Sequence, residues 1–233
     1  MKALAKVLVV ALLTVGVNKA FADTQDRHIS GFNAISIGGS FDTYLTQGGT
    51  ESVKVEAPGD IINEIKTEVV DGELKIYQKS KGWGNWWNGS HKKVVIYISA
   101  KQLKAVSQSG SGDLFFKNGI SSSSLVLHVS GSGNATGRVE AGELQCSVSG
   151  SGDMKLEGKA SNAAITVSGS GTYSARDLVT NNVAVRVSGS GDATVNANDK
   201  IDASVSGSGD VRYTGAAKNV STSKSGSGSV HRI

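Results

Sequence analysis

A tetrapeptide sets the frame for this chain. Ser-Gly-Ser-Gly occurs seven times, beginning at Ser109, Ser130, Ser149, Ser168, Ser188, Ser206 and Ser225, always 18 to 21 residues apart. A flexible Gly/Ser linker has a similar composition but no such period. Alternating apolar residues precede most copies, as in Leu125, Leu127 and Val129, then Leu144, Cys146 and Val148, then Val183, Val185 and Val187. The residues between them, such as His128, Gln145, Ser147 and Arg186, are polar or small. A period of two describes a strand with one buried face. No such strand buries its face alone, whereas stacked copies share a continuous interior. The sequence therefore predicts an all-β fold, a parallel β-helix or β-roll solenoid with coils of about 19 residues. Each coil is expected to hold two or three short strands joined by tight turns.

The turn residues fit that reading. Glycine reaches positive φ and lets neighbouring backbones approach closely, and serine hydroxyls bond local backbone. The residue after most motifs, in Asp113, Asn134, Asp153, Asp192 and Asp210, suits a turn because Asx side chains cap nearby N–H groups. The outermost copies differ. Val220, Thr222 and Lys224 fill the apolar slots of the last one, and Gln108 stands where later copies carry Val129 and Val148. Terminal coils have a face without a neighbour, so both substitutions read as end-of-stack features. Lys224 reads as part of an end cap.

Ahead of the repeats, residues 23–106 form a β region read as continuous with the 107–233 solenoid. Ile35–Ile37, Phe41–Leu45, Val53–Val55, Leu74–Tyr77 and Val94–Ile98 read as strands. Asp71-Gly72 between two apolar runs is a hairpin signal, and Ile61 to Lys66 reads as one helical turn. Gly38-Gly39-Ser40-Phe41-Asp42 reads as a degenerate copy of the repeat turn.

Residues 1–22 read as a signal peptide: basic Lys2 and Lys6, an apolar run from Val7 to Val17, then Ala20-Phe21-Ala22 with cleavage expected after Ala22. That run is too short for a membrane span, so no transmembrane segment is expected in the mature chain. The expected destination is the periplasm, the outer surface or the medium. The formal charge of +4 includes Lys2, Lys6 and Lys19; without them 21 basic residues face 20 acidic ones, or +1. Nucleic acid is not an expected partner on that balance. A lone cysteine, Cys146, excludes a disulfide framework and any multi-cysteine metal site.

The residues also resemble a known family, the auto-transporter adhesin, head GIN domain family of exported bacterial proteins. The likeness rests on Gly31-Phe32-Asn33-Ala34-Ile35, Tyr44-Leu45-Thr46-Gln47-Gly48, Val53-Lys54-Val55-Glu56-Ala57 and Asp71-Gly72-Glu73-Leu74-Lys75-Ile76. The serial Ser-Gly-Ser-Gly-Asp turns complete it. The resemblance implies a β-helical domain with a surface or adhesive role, and it carries over no catalytic residue. A true autotransporter needs a membrane β-barrel, and no segment here has the strand pattern of one.

Candidate chemistry is sparse. Trp83, Trp86 and Trp87 fall in one stretch with Lys79, Lys81, Lys92 and Lys93, a grouping suited to sugar stacking or to covering an open end of the stack. They are the candidate contact residues. The Gly-x-Gly-Asp turns offer one carboxylate each, too few oxygens for calcium. No Gly-Lys-Ser/Thr follows a glycine turn, so a phosphate loop is excluded. His28, His91, His128 and His231 show no metal-ligand spacing, and Cys146 sits in a core slot. No catalytic residue, cofactor or metal site is assigned. The expected function is that of a non-enzymatic exported β-helix, an adhesin or envelope-associated binding protein with a surface glycan or envelope component as partner. The alternative is a carbohydrate-binding module or weak polysaccharide-acting enzyme centred on the tryptophans. Open solenoid ends make a homo-oligomer a further partner to expect.

Overall fold

The alternation of the repeats becomes a column of side chains. A computed structural model describes residues 22–59, 61–79 and 93–233. Its strands are β1 (Ala22–Asp26), β2 (Ala34–Gly38), β3 (Asp42–Gln47), β4 (Ser52–Pro58), β5 (Ile65–Val70), β6 (Glu73–Gln78), β7 (Val95–Ala100) and β8 (Ala105–Gly110). The repeats supply β9 (Leu114–Gly131), β10 (Ala135–Gly150), β11 (Met154–Gly169), β12 (Thr172–Gly189) and β13 (Asp192–Gly207), followed by β14 (Val211–Thr214), β15 (Asn219–Gly226) and β16 (Val230–Arg232). All sixteen belong to one sheet.

From β9 to β13 the coils are parallel and in register, so Val129, Val148, Val167, Val187 and Val205 stand level with one another. Each is at most 2% exposed, and each buried valine of this kind contributes about 1.5–3 kcal/mol. One expectation needs correction. A coil is not two or three short strands but a single bent strand of 16 to 18 residues. Parallel neighbours on both sides hold the strand on either side of the bend, where the register shifts and Gly119, Gly137 and Gly158 take positive φ.

The Ser-Gly-Ser-Gly corners are held by bonds between coils. Ser132 and Gly133 both donate their N–H to the Gly110 carbonyl at 2.9 Å, and Ser151 and Gly152 repeat this on Gly131. The Asx residues also act between coils. Asn134 N–H donates to Asp113 Oδ1, Asp153 N–H to Asn134 Oδ1, and Thr172 N–H to Asp153 Oδ1. The sequence suggested caps within a turn, whereas these side chains tie each corner to the next.

The N-terminal region extends the stack. β2 pairs with β8 and β3 with β9, all parallel, and Gly39 and Phe41 lie beneath Gly110 and Gly112. The degenerate turn is thus a corner of the same column. β6 and β7 form a further layer against β2 and β3, and there the pairing changes sense: β5 runs antiparallel on β6, β4 on β7, and β1 on β4. Asp71 and Gly72, both at positive φ, close the β5–β6 hairpin. The turn expected over Ile61 to Lys66 is confined to 61–64, because Ile65 already starts β5.

Gln108 also departs from expectation. It does not lie at an end of the stack, because β8 sits between β2 and β9 and pairs Gln108 with Ile37 and Val129. It is wholly buried, donates through Nε2 to the Gly112 carbonyl, and leaves Oε1 without a partner. The opposite end is as read: Lys224 stands level with Val205, and every residue of β15 is exposed. A charge in this slot, on a strand with one neighbour among the described residues, discourages further strand addition.

Candidate functional site

On the side of each coil that follows the corner, register places one outward residue per strand in a single row. It runs Asp26, Lys54, Tyr97, Tyr44, Phe115, Thr136, Lys155, Ser174, Thr194, Arg212 and His231. Three consecutive positions are aromatic. Burial forces them outward: Thr43 and Leu45 face the core on either side of Tyr44, Ile96 and Ile98 do so around Tyr97, and Leu114 and Phe116 around Phe115.

The Tyr44 ring stacks on Tyr97 and on Phe115, with centroids 5.4 Å and 5.2 Å away and planes inclined by 19° in both pairs. Ring planes in contact lie about 3.5–4 Å apart, so each pair is slipped by roughly 4 Å and part of each face stays open. Lys117 Nζ lies 4.8 Å from the Tyr44 centroid and Lys54 Nζ 5.9 Å from that of Tyr97. Beside this tall row runs a low one, in which Ser52, Ser99 and Thr46 stand level. The step between them is a shelf enclosing about 670 Å³, with Asp26 and Ile98 also in its lining.

The electrostatics are uneven. Tyr97 donates its hydroxyl to Glu56 Oε2 at 3.3 Å; burial first, and then the Glu56 carboxylate, push this phenol above its ordinary value. Lys93 pairs with Asp42 at 3.0 Å, and that bond holds its ammonium above the usual lysine value. Lys54 and Lys117 have no ion-pair partner among the described residues. The shelf thus offers partly open ring faces, short hydroxyls, the Asp26 carboxylate and two ammonium groups outside any ion pair among the described residues. A second cleft of about 370 Å³ follows Glu143, Asn162 and Asn182, but these side chains bond one another at 2.6 and 2.9 Å.

Trp83, Trp86 and Trp87 lie outside the described residues. Of the described strands on either side, β6 sets Tyr77 level with Gly38 and β7 sets Val95 level with Asp42. Cys146 is wholly buried and its thiol is pushed up to about 12 by that burial. Asp192 and Asp210, at the corners of adjacent coils, are both bridged by Arg212 at 3.1 and 3.0 Å. Among the described residues no three His, Cys, Asp or Glu side chains are grouped to hold a metal ion. Sequence reasoning missed Tyr44, Tyr97 and Phe115. Their common signal is a large ring at an outward position of an alternating strand.

A family model described as "putative auto-transporter adhesin, head GIN domain" matches residues 31–217. The chain belongs to this family. A crystal structure of a putative adhesin from Bacteroides fragilis is 31% identical to this head GIN domain protein, with a TM-score of 0.84, covering 91% of this chain and 96% of that one. A putative lipid binding protein from Parabacteroides distasonis is 25% identical, with a TM-score of 0.73 over 92% of this chain and 98% of its own. A putative adhesin from Parabacteroides merdae, 22% identical, shares the fold with a TM-score of 0.71, covering 92% and 97%. No curated protein matches the chain. Among the described residues no helix is long and apolar enough to cross a membrane.

Proposed function

We propose that this head GIN domain protein is an exported, non-enzymatic binding protein that attaches to a component of a cell surface or envelope through the aromatic shelf. The observation that carries the reading is the row Tyr97, Tyr44 and Phe115 on the solvent face of β7, β3 and β9, each paired on both sides. Core packing does not call for rings at these outward positions, and an exposed apolar patch rimmed by polar groups marks a contact site. The family description and the adhesin relative agree with an attachment role. A stiff stack suits it too, because a preformed face loses little conformational freedom on binding.

The experiment is sedimentation of the purified protein with bacterial envelope fractions. Wild type is expected to co-sediment, the Tyr44→Ala, Tyr97→Ala variant to stay in solution, and Tyr77→Ala to behave as wild type. Tyr77 is as exposed as Tyr97 but lies off the row, on β6. Undiminished binding by the double variant contradicts the reading.

A further inference from the structure

We propose that the shelf takes an acidic saccharide chain lying across the strands, parallel to the solenoid axis, with sugar faces against the ring row and carboxylate or sulfate groups at Lys54 and Lys117. This rests on the shelf being the contact face and adds the chemistry of what it contacts. Successive ring centroids lie 5.2–5.4 Å apart from strand to strand. An extended pyranose chain advances by a similar length per residue, so successive sugars meet equivalent rings. The slip between rings leaves apolar face for sugar C–H groups, while Ser52, Ser99 and Thr46 on the low row present oxygens for sugar hydroxyls. A lining that pairs apolar surface with a few convergent polar groups is typical of a ligand cleft, and 670 Å³ lies in the usual size range.

Charge selects among saccharides. Of the acids near the shelf, Glu56 accepts from Tyr97 and Asp42 is held by Lys93. Asp26, level with Lys54 on β1, is the one carboxylate in the shelf lining among the described residues, against the two ammonium groups of Lys54 and Lys117. None of the three is in an ion pair among the described residues; Glu56 has no ion pair there either but stands outside the lining. A ligand that supplies anions completes this arrangement, whereas a neutral glycan leaves both lysines to water. A lipid surface fits less well. Tyr44 and Phe115 are only half-exposed and lie against neighbouring rings, and the floor beside them is hydroxylic.

The test is titration of the purified protein with uronic-acid and sulfated oligosaccharides, with neutral gluco-oligosaccharides of equal length, and with phosphatidylglycerol vesicles. The acidic series is expected to bind about two- to thirtyfold more tightly than the neutral one, as two partly exposed ion pairs would give. The preference should weaken as salt is added. Lys54→Gln with Lys117→Gln should abolish the preference without lowering the melting temperature, and Tyr44→Ser with Tyr97→Ser should abolish binding to both series. Equal binding of neutral and acidic chains, a preference that survives the lysine changes, or binding to vesicles alone overturns the proposal. If envelope binding depends on Tyr44 and Tyr97 while no acidic oligosaccharide binds, the ligand assignment falls and the contact face stands. If envelope binding ignores those tyrosines, both fall.

Discussion

The carboxylate of Asp153 accepts the backbone N–H of Thr172, one coil further along the stack, at 2.9 Å. The bond spans two corners, so the acid acts as a clamp between coils and not as a turn-forming residue. Asp153→Ala removes the acceptor and is expected to cost about 1–2 kcal/mol in urea denaturation. Asp153→Asn keeps an oxygen in place, as Asn134 already does one coil earlier, and should cost much less.

Corner glycines differ in why they are needed. Gly150 sits at φ +110°, and a Cβ there would lie 2.5 Å from the Gly131 carbonyl oxygen. Gly152 has no such φ, yet a Cβ would come closer still to the Gly133 carbonyl. Alanine at either position should destabilise by about 3 kcal/mol or more, since backbone offers no way to yield. Gly49 faces open space, so Gly49→Ala should leave the thermal midpoint within a degree or two of wild type.

Gln108 is a buried amide with one oxygen unsatisfied in a column of aliphatic side chains. Gln108→Leu keeps most of the volume and removes that oxygen. It is expected to stabilise by about 1 kcal/mol, read as a higher urea midpoint at unchanged slope. A loss of stability would mean that the Nε2 bond to Gly112 outweighs the orphaned oxygen.

The C-terminal coil should be acid-sensitive. Asp210 accepts both the hydroxyl and the N–H of Ser229, and these bonds, then Arg212, hold its carboxyl below the ordinary aspartate value of 3.8. A depressed folded value means the stabilisation is complete above the unfolded value and is lost as pH falls through the folded one. Asp210→Asn removes that titration. Wild type should therefore exceed the variant in stability at pH 6, with the gap closing toward pH 2. A gap independent of pH contradicts the assignment.

The columns through Val129, Val148 and Val167 are legible in the sequence because each coil repeats its neighbour, so the motif itself states the register. Lys224 as an exposed end follows from the same repeat. Gln108 misleads because the repeat begins there while the stack does not: β2 and β6 continue it with Ile37 and Ile76 and no Ser-Gly-Ser-Gly to announce them. The ring row is hidden for a related reason. Tyr44 and Tyr97 stand level only because β7 returns beside β3 after the chain has formed β4, β5 and β6. Such pairing is set by the topology, and the outward alternation shows only that each ring faces solvent.

Tyr97 and Tyr77 are 40% and 39% exposed, which makes them a matched pair on different strips of the surface. Hydroxyl-radical footprinting of the protein with and without envelope fraction compares them directly. The account predicts that oxidation of Tyr97 falls several-fold on binding while that of Tyr77 stays constant. Unchanged oxidation of Tyr97 in the bound protein, or an equal fall at Tyr77, would contradict the claim that the aromatic shelf is the contact face.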